Sequence, residues 1–290
     1  MSSVPKAPTP PDGNCTATSN NYTYTSTDGS SYIIDFCTGG SVSNLSAGSK
    51  MASPSGIWSC GNNFLDARDG NVYPTVQIGT QCWFAKNLAY LPMVHSNTQF
   101  TAQGASSQPG YGVLGYDGSD INTAKAYQIS GVNIYNTYGV LYNWHAAMAG
   151  TTTQGTQGSC PSGWYVPTYD QFAILKNYLI TNSQYRCGSD YYQIGKSLAN
   201  TSGWLVNGII CTVGNDQASN NITGFTALSA GSRNNNGLFL VGTGYNTSFW
   251  SSSAASSEDA WAQRLDHDIA TVYLNDFDQR AGFSVRCLKN

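Results

Sequence analysis

Charge is what this chain has least of. Only 10% of its residues are Asp, Glu, Lys or Arg, Glu258 is the sole glutamate, and no basic cluster occurs anywhere. A formal net charge of −3 leaves no electrostatic footprint for nucleic acid or an anionic membrane. Long apolar runs are missing too: no window approaches the ~20 residues of a membrane span, so no direct membrane insertion is expected. Met1-Ser2-Ser3-Val4-Pro5-Lys6 lacks the apolar centre of a signal peptide. The expectation is that an export or anchoring segment has been removed. There is no C-x-x-C pair, which disfavours zinc, and neither a metal nor another cofactor is expected. The three histidines, His95, His145 and His267, lie far apart and in no zinc, triad or nucleophile motif. No catalytic set is readable, and the chain is expected not to be an enzyme.

What is abundant is Gly, Ser, Thr, Asn and Tyr, a mixture suited to strands and structured loops rather than helices. At 40% apolar the chain has enough to bury a core. The eight cysteines, Cys15, Cys37, Cys60, Cys82, Cys160, Cys187, Cys211 and Cys287, are even in number and widely spaced. That pattern reads as disulfides in an oxidising, extracellular or cell-surface setting.

Residues 1–13, rich in Pro and Ser, read as a disordered leader. The region 14–57 reads as a small β-hairpin unit: Tyr22-Thr23-Tyr24-Thr25 and Tyr32-Ile33-Ile34 flank an Asp28-Gly29 turn. Cys15 and Cys37 bracket it as a candidate staple. This unit resembles the C-terminal parts of some bacterial pilin-like surface proteins. From 58 on, Val72, Pro74, Val76 and Ile78 alternate as in a half-buried strand, with Cys60 and Cys82 as flanking partners. A short helix is expected over Phe84–Leu88, a long irregular stretch over 95–135, and a helix over Tyr138–Met148 stopped by Gly150. Thr168 and Gln171 have capping-box spacing, and Phe172, Leu175 and Leu179 form the core stripe of the helix that follows. A further short helix is expected over Ile194–Ala199, flanked by Cys187 and Cys211 as a third pair. Ala270, Val272 and Leu274, and then Phe283, Val285 and Cys287, alternate with polar residues as strands with one buried face.

Several fragments, in order across about 66–290, resemble the Fibrobacter succinogenes major paralogous domain. They are Asp69-Gly70-Asn71-Val72-Tyr73, Ile78-Gly79-Thr80-Gln81-Cys82-Trp83 and Asn87-Leu88, then Tyr138-Gly139 and Tyr142-Asn143-Trp144. Cys160-Pro161, Gly163-Trp164, Val166-Pro167-Thr168, Phe249-Trp250-Ser251-Ser252-Ser253 and Gly282-Phe283-Ser284-Val285-Arg286-Cys287 complete the series. The resemblance implies an extracellular α+β, loop-rich domain at 58–290 with the C-type-lectin-like fold, in the branch shared with formylglycine-generating enzymes. In that fold a helix-proximal cysteine is tied to the last strand, which implies a Cys160–Cys287 bridge. Closing so long a loop is worth roughly 4 to 5 kcal/mol in the chain-entropy model.

The tail also resembles the variable proteins of diversity-generating retroelements, in which template adenines are rewritten. Asn codons of the AAC type become NNC codons, which never encode Lys, Glu, Gln, Met or Trp. The stretches Asn234–Ser248 and Asp266–Asp278 contain none of the five. The resemblance implies a fixed scaffold, with Trp250, Trp261, Leu265, Val272, Phe283 and Val285 in the core. It also implies a displayed, ligand-binding set: Asn234, Phe239, Val241, Tyr245 and Asp266, then Asp268, Ile269, Tyr273, Asn275 and Phe277. The expected partner is a protein or cell-surface ligand, bound by Tyr area and Asn hydrogen bonding. Two alternatives stand beside this. A calcium-dependent lectin has only Leu274-Asn275-Asp276 in its favour, without the proline tripeptide of such sites. A formylglycine-generating-type oxidoreductase would need reactive cysteines near the C-terminal end, where only Cys287 lies beyond Cys211.

Overall fold

The computed structural model describes residues 13, 15, 22–25, 32–42, 47–53, 56–241 and 243–289. The chain divides into two compact units, residues 1–64 and 65–290. Of the expected leader only Gly13 is among the described residues.

The first unit is an antiparallel meander of β1 (Thr23–Thr25), β2 (Ile33–Thr38), β3 (Gly48–Ser53) and β4 (Gly56–Ser59), paired in that order. The expected hairpin is β1–β2, in register Tyr24↔Ile34; its Asp28-Gly29 turn lies outside the described residues. A Cys15–Cys37 disulfide joins the segment before β1 to β2. The fourth strand carries this sheet to Ser59, past the expected boundary at 57.

The second unit contains β5 (Thr75–Ile78), β6 (Gln81–Phe84), α1 (Asn97–Ala105), α2 (Ile121–Ala126), α3 (Ile134–Tyr138) and α4 (Trp144–Ala147). Next come β7 (Trp164–Tyr165), α5 (Tyr169–Thr181), α6 (Gly195–Leu198), β8 (Ser232–Arg233) and β9 (Phe239–Val241). The chain continues through β10 (Asn246–Ala254), β11 (Asp259–Asp266), β12 (Tyr273–Asp278) and β13 (Leu288–Lys289). It is mixed α/β, strand-rich and short of helix, as the composition implied. One sheet runs β7-β13-β6-β5, another β10-β11-β12. The longest helix, α5, begins with the expected capping box: Gln171 N–H donates to Thr168 Oγ1 at 3.3 Å and Thr168 N–H to Gln171 Oε1 at 2.7 Å. Its stripe of Phe172, Leu175 and Leu179 packs with Trp83, Phe225, Phe249, Leu265 and Leu288 in one core.

The residues after Ala281 form the spine of this unit rather than a strand with one wet face. From Gly282 to Leu288 every residue is buried. Phe283 exchanges both backbone hydrogen bonds with Tyr142, at 2.8 and 2.9 Å. Ser284 N–H donates to Ser248 O, and Leu88 and Phe84 N–H donate to Val285 O and Cys287 O. Leu288 then sits between Tyr165 on β7 and Trp83 on β6. A Cys160–Cys287 disulfide closes the 127-residue span, and Cys187–Cys211 brackets α6. Cys60 and Cys82 are also disulfide-bonded, and no cysteine is free.

Several local expectations are corrected. Residues 85–88 form no helix, because Phe84 ends a strand, Leu88 N–H bonds the terminal segment at Val285 O, and the Asn87 amide is engaged by Ser284 Oγ and Tyr138 O. Of the helix expected over 138–148 only α4 forms: α3 ends at Tyr138, where Gly139 takes φ +76 against the Leu88 carbonyl, Leu141 and Tyr142 pair as a strand with Gly112 and Tyr111, and Asn143 then starts α4, its Oδ1 capping Ala146 N–H at 2.8 Å. Within 95–135 two helices form, capped by Ser96 and Asp120. Tyr73 and Thr75, not Val72 and Pro74, point inward, since Tyr73 stacks on Phe84 at 4.4 Å. Strand β12 starts only at Tyr273. Trp261 is partly exposed and packs on Tyr169 at 4.7 Å instead of joining the core; Trp250, Leu265, Val272, Phe283 and Val285 are buried as expected.

Candidate ligand-binding surface

The expected display segments run from the turn after β8 through β9 into the start of β10, and from the end of β11 through β12. Residues 246–253 of β10 are all buried. Strand β11 alternates, with Ala260, Ala262 and Leu265 buried and Asp259, Trp261 and Arg264 partly open. The edge strand β12 is the most exposed of the three: Tyr273, Asn275 and Asp276 face solvent.

Of the ten expected ligand contacts, Tyr245, Asp268, Tyr273 and Asn275 are exposed, and Asp266 and Ile269 are partly so. Tyr245 stands edge-on to His267 at 5.5 Å, and His267 N–H donates to Tyr245 O at 2.8 Å. Asp266 is paired with Arg264 at 2.6 Å, and its hydrogen bonds raise the Arg264 pKa against the effect of burial. Asn234, Phe239 and Phe277 are partly exposed as well, and each has a partner within the protein. Asn234 Oδ1 accepts from Leu238 N–H at 2.9 Å and so builds the β8–β9 turn. Phe239 lies against the Arg233 guanidinium at 4.7 Å, and Phe277 against Phe283 at 5.0 Å. The side chain of Val241 lies outside the described ones.

Sequence reasoning missed two neighbouring features. The first is a cleft of about 420 Å³ between α5 and β12, floored by Ala173, Ile180 and Leu274 and lined by Tyr169, Tyr192, Tyr273, Lys176, Asn177 and Asn275. The second is the loop Leu205–Ile210. Leu205 N–H donates to Gly244 O at 2.9 Å, Gly214 N–H to His267 O at 2.6 Å and Val213 N–H to Ile269 O at 3.3 Å. These bonds seat the loop beside Tyr245 and Ile269. A Cβ on Gly214 would lie 2.1 Å from Leu205 O, so only glycine fits that approach. The available signal was Asn207-Gly208 between Leu-Val and Ile-Ile, which reads as a core hairpin.

The histidines are in different surroundings. His95 is buried, its Nδ1 accepting from Tyr111 N–H at 3.1 Å; burial lowers its pKa and the Arg233 charge adds to the effect. Burial also lowers that of His145. His267 lies near a carboxylate, 3.7 Å from Asp268. Among the described residues no group of three or more His, Cys, Asp or Glu is arranged to hold a metal ion, and no helix is long and apolar enough to cross a membrane.

The family model described as the Fibrobacter succinogenes major domain matches residues 76–289. The chain belongs to that family. The match spans β5 to β13, so the buried Gly282–Cys287 segment and its partners Trp83, Asn87 and Tyr142 all lie inside the Fibrobacter succinogenes major domain, as does the exposed end of the β10–β12 sheet. No curated protein and no solved structure matches the chain.

Proposed function

We propose that this is an extracellular ligand-binding protein, without catalytic activity, that presents a diversified surface on a C-type-lectin-like domain. The observation that carries this reading is the contrast within one sheet. Residues 246–253 of β10 are wholly buried, while Tyr245, Asp268, Tyr273 and Asn275 project from its ends and edge. A fixed interior beside exposed Tyr, Asn and Asp suits a surface whose side chains change without loss of the fold. The disulfides fit an oxidising compartment. Diversification predicts, near the gene, a second copy of the stretch encoding residues 234–278 that differs chiefly at adenines. Sequencing the flanks and finding none would overturn it.

A second reading is carbohydrate binding, favoured by the three tyrosines, two asparagines and Lys176 around the α5–β12 cleft. Tyrosine faces stack on sugar rings and amides bond hydroxyls. A glycan array read with and without calcium separates the two. Strong binding lost on Tyr273→Ala would favour the sugar reading, and dependence on calcium would identify it as the metal-assisted kind.

A further inference from the structure

The loop 205–210 puts aliphatic side chains where water should have excluded them. Val206 is 87% exposed, Ile210 78%, Ile209 63% and Leu205 38%. Contiguous apolar exposure of this kind marks an interaction site. Nor is the loop loose. Trp204, buried at its base, exchanges hydrogen bonds with the Gln217 amide at 3.0 and 2.8 Å. Asn207 N–H donates to Gly214 O, and its Oδ1 accepts from Ile209 N–H at 2.7 Å and Thr212 Oγ1 at 3.2 Å. Cys211 fixes the far end through Cys187. The Asn207 side chain and the Leu205, Asn207 and Ile209 N–H groups are thus engaged within the protein, and Val206, Ile209 and Ile210 are β-branched and stiff at χ1. Burying such a tip costs little side-chain entropy.

The flanking charges indicate what would cover it. No charged residue lies between Gly203 and Asn215, and the exposed charges beside the loop are Asp216 and Asp268. The nearby cations are engaged: Lys196 is buried and donates to the Asn215 and Asp216 carbonyls, and Arg264 is paired with Asp266. Arg186, next to Cys187, is half-buried. Pairing two copies through the loop would bring like carboxylates together, and an anionic bilayer would repel them.

We propose that residues 205–210 are an anchor that inserts into an apolar pocket rimmed by Lys or Arg on a partner protein. This deepens the ligand-binding reading, on which it rests, by adding a fixed anchor to the exposed β11–β12 end. The test is to pan a phage-displayed random peptide library against the whole chain. Enriched peptides with an aromatic or aliphatic centre flanked by Lys or Arg are expected. Their binding should fall more than about tenfold in Val206→Asp and Ile210→Asp, and fall with added salt and in Asp216→Asn. Both apolar positions are exposed, so unchanged thermal unfolding checks that the variants fold. Peptides that bind Ile210→Asp as well as the parent but lose affinity on Tyr273→Ala would overturn the anchor while leaving the binding function standing. Loop-dependent sedimentation with phosphatidylcholine vesicles, or loop-dependent dimerisation, would also overturn it. No enrichment at all would count against both.

Discussion

Arg286 is a cation with no carboxylate beside it. Fully buried, it donates to Asn87 Oδ1 at 2.8 Å, Phe84 O at 3.0 Å, Thr226 O at 2.7 Å and Phe225 O, and its guanidinium lies over the rings of Phe225 and Phe249. Burial pushes its pKa down to about 9, yet the charge is retained at neutral pH because oxygen acceptors and ring faces replace water. Arg286→Met would strand those acceptors in the core and should cost about 3–5 kcal/mol, read from urea unfolding. Gln263 presents the opposite case. It is buried on β11 with neither amide atom hydrogen-bonded, so Gln263→Leu should stabilise the fold by about 1–3 kcal/mol, visible as a raised Tm. At this scale the sequence was hardest to read. Arginine next to cysteine in an alternating tail suggests an outward-facing side chain, and only tertiary packing shows that both faces of the segment are covered.

Elements were legible where the signal was local. The Thr168–Gln171 cap and the Phe172, Leu175, Leu179 stripe fixed α5 because all of them lie close together in the chain. Ser96 with Gln99 is the same cap, and it goes unread because the helix after it has no apolar stripe: Phe100 and Gly104 are its only buried residues. The residues after Phe84 are not helical because they bond the chain's far end, Asn87 meeting Arg286 across 199 positions, which no local pattern reports. That long-range joint carries its own prediction. Removing the Cys160–Cys287 bridge by paired Cys→Ser changes should cost about 4–5 kcal/mol by loop entropy, measured as a shift in the denaturation midpoint. A smaller joint links the β8–β9 turn to the end of β12. Burial acts to raise the Asp278 pKa, but hydrogen bonds from Arg280 and from Asn235 at 2.9 Å outweigh it and hold the carboxyl at about 2. Its contribution is therefore fully present above the ordinary carboxylate value of 3.8 and is lost as pH falls toward 2. Asn235→Ala should move that loss to higher pH, observable by NMR titration of Asp278 or by acid unfolding.

For the whole molecule, exposure along a strand was legible in the sequence and the partners of side chains were not. Alternation placed Tyr273 and Asn275 outward correctly. That Asn234 builds a turn had a local signal in Asn234-Asn235-Asn236-Gly237 that went unread, while Phe239 shielding Arg233 depends on pairing across the hairpin. Alternation could not find the apolar loop, whose composition is that of a core hairpin. The buried segment from Gly282 to Leu288 has a further consequence, in the order of events rather than in energy. Leu288 is the strand partner of both Tyr165 and Trp83, and Phe283 that of Tyr142. Until those late residues have been made, the earlier ones have nothing to pair with, and the unit cannot close while its final strand is still unsynthesised. A chain cut short just before Gly282 would keep nearly all of its sequence and lose the piece around which the rest assembles.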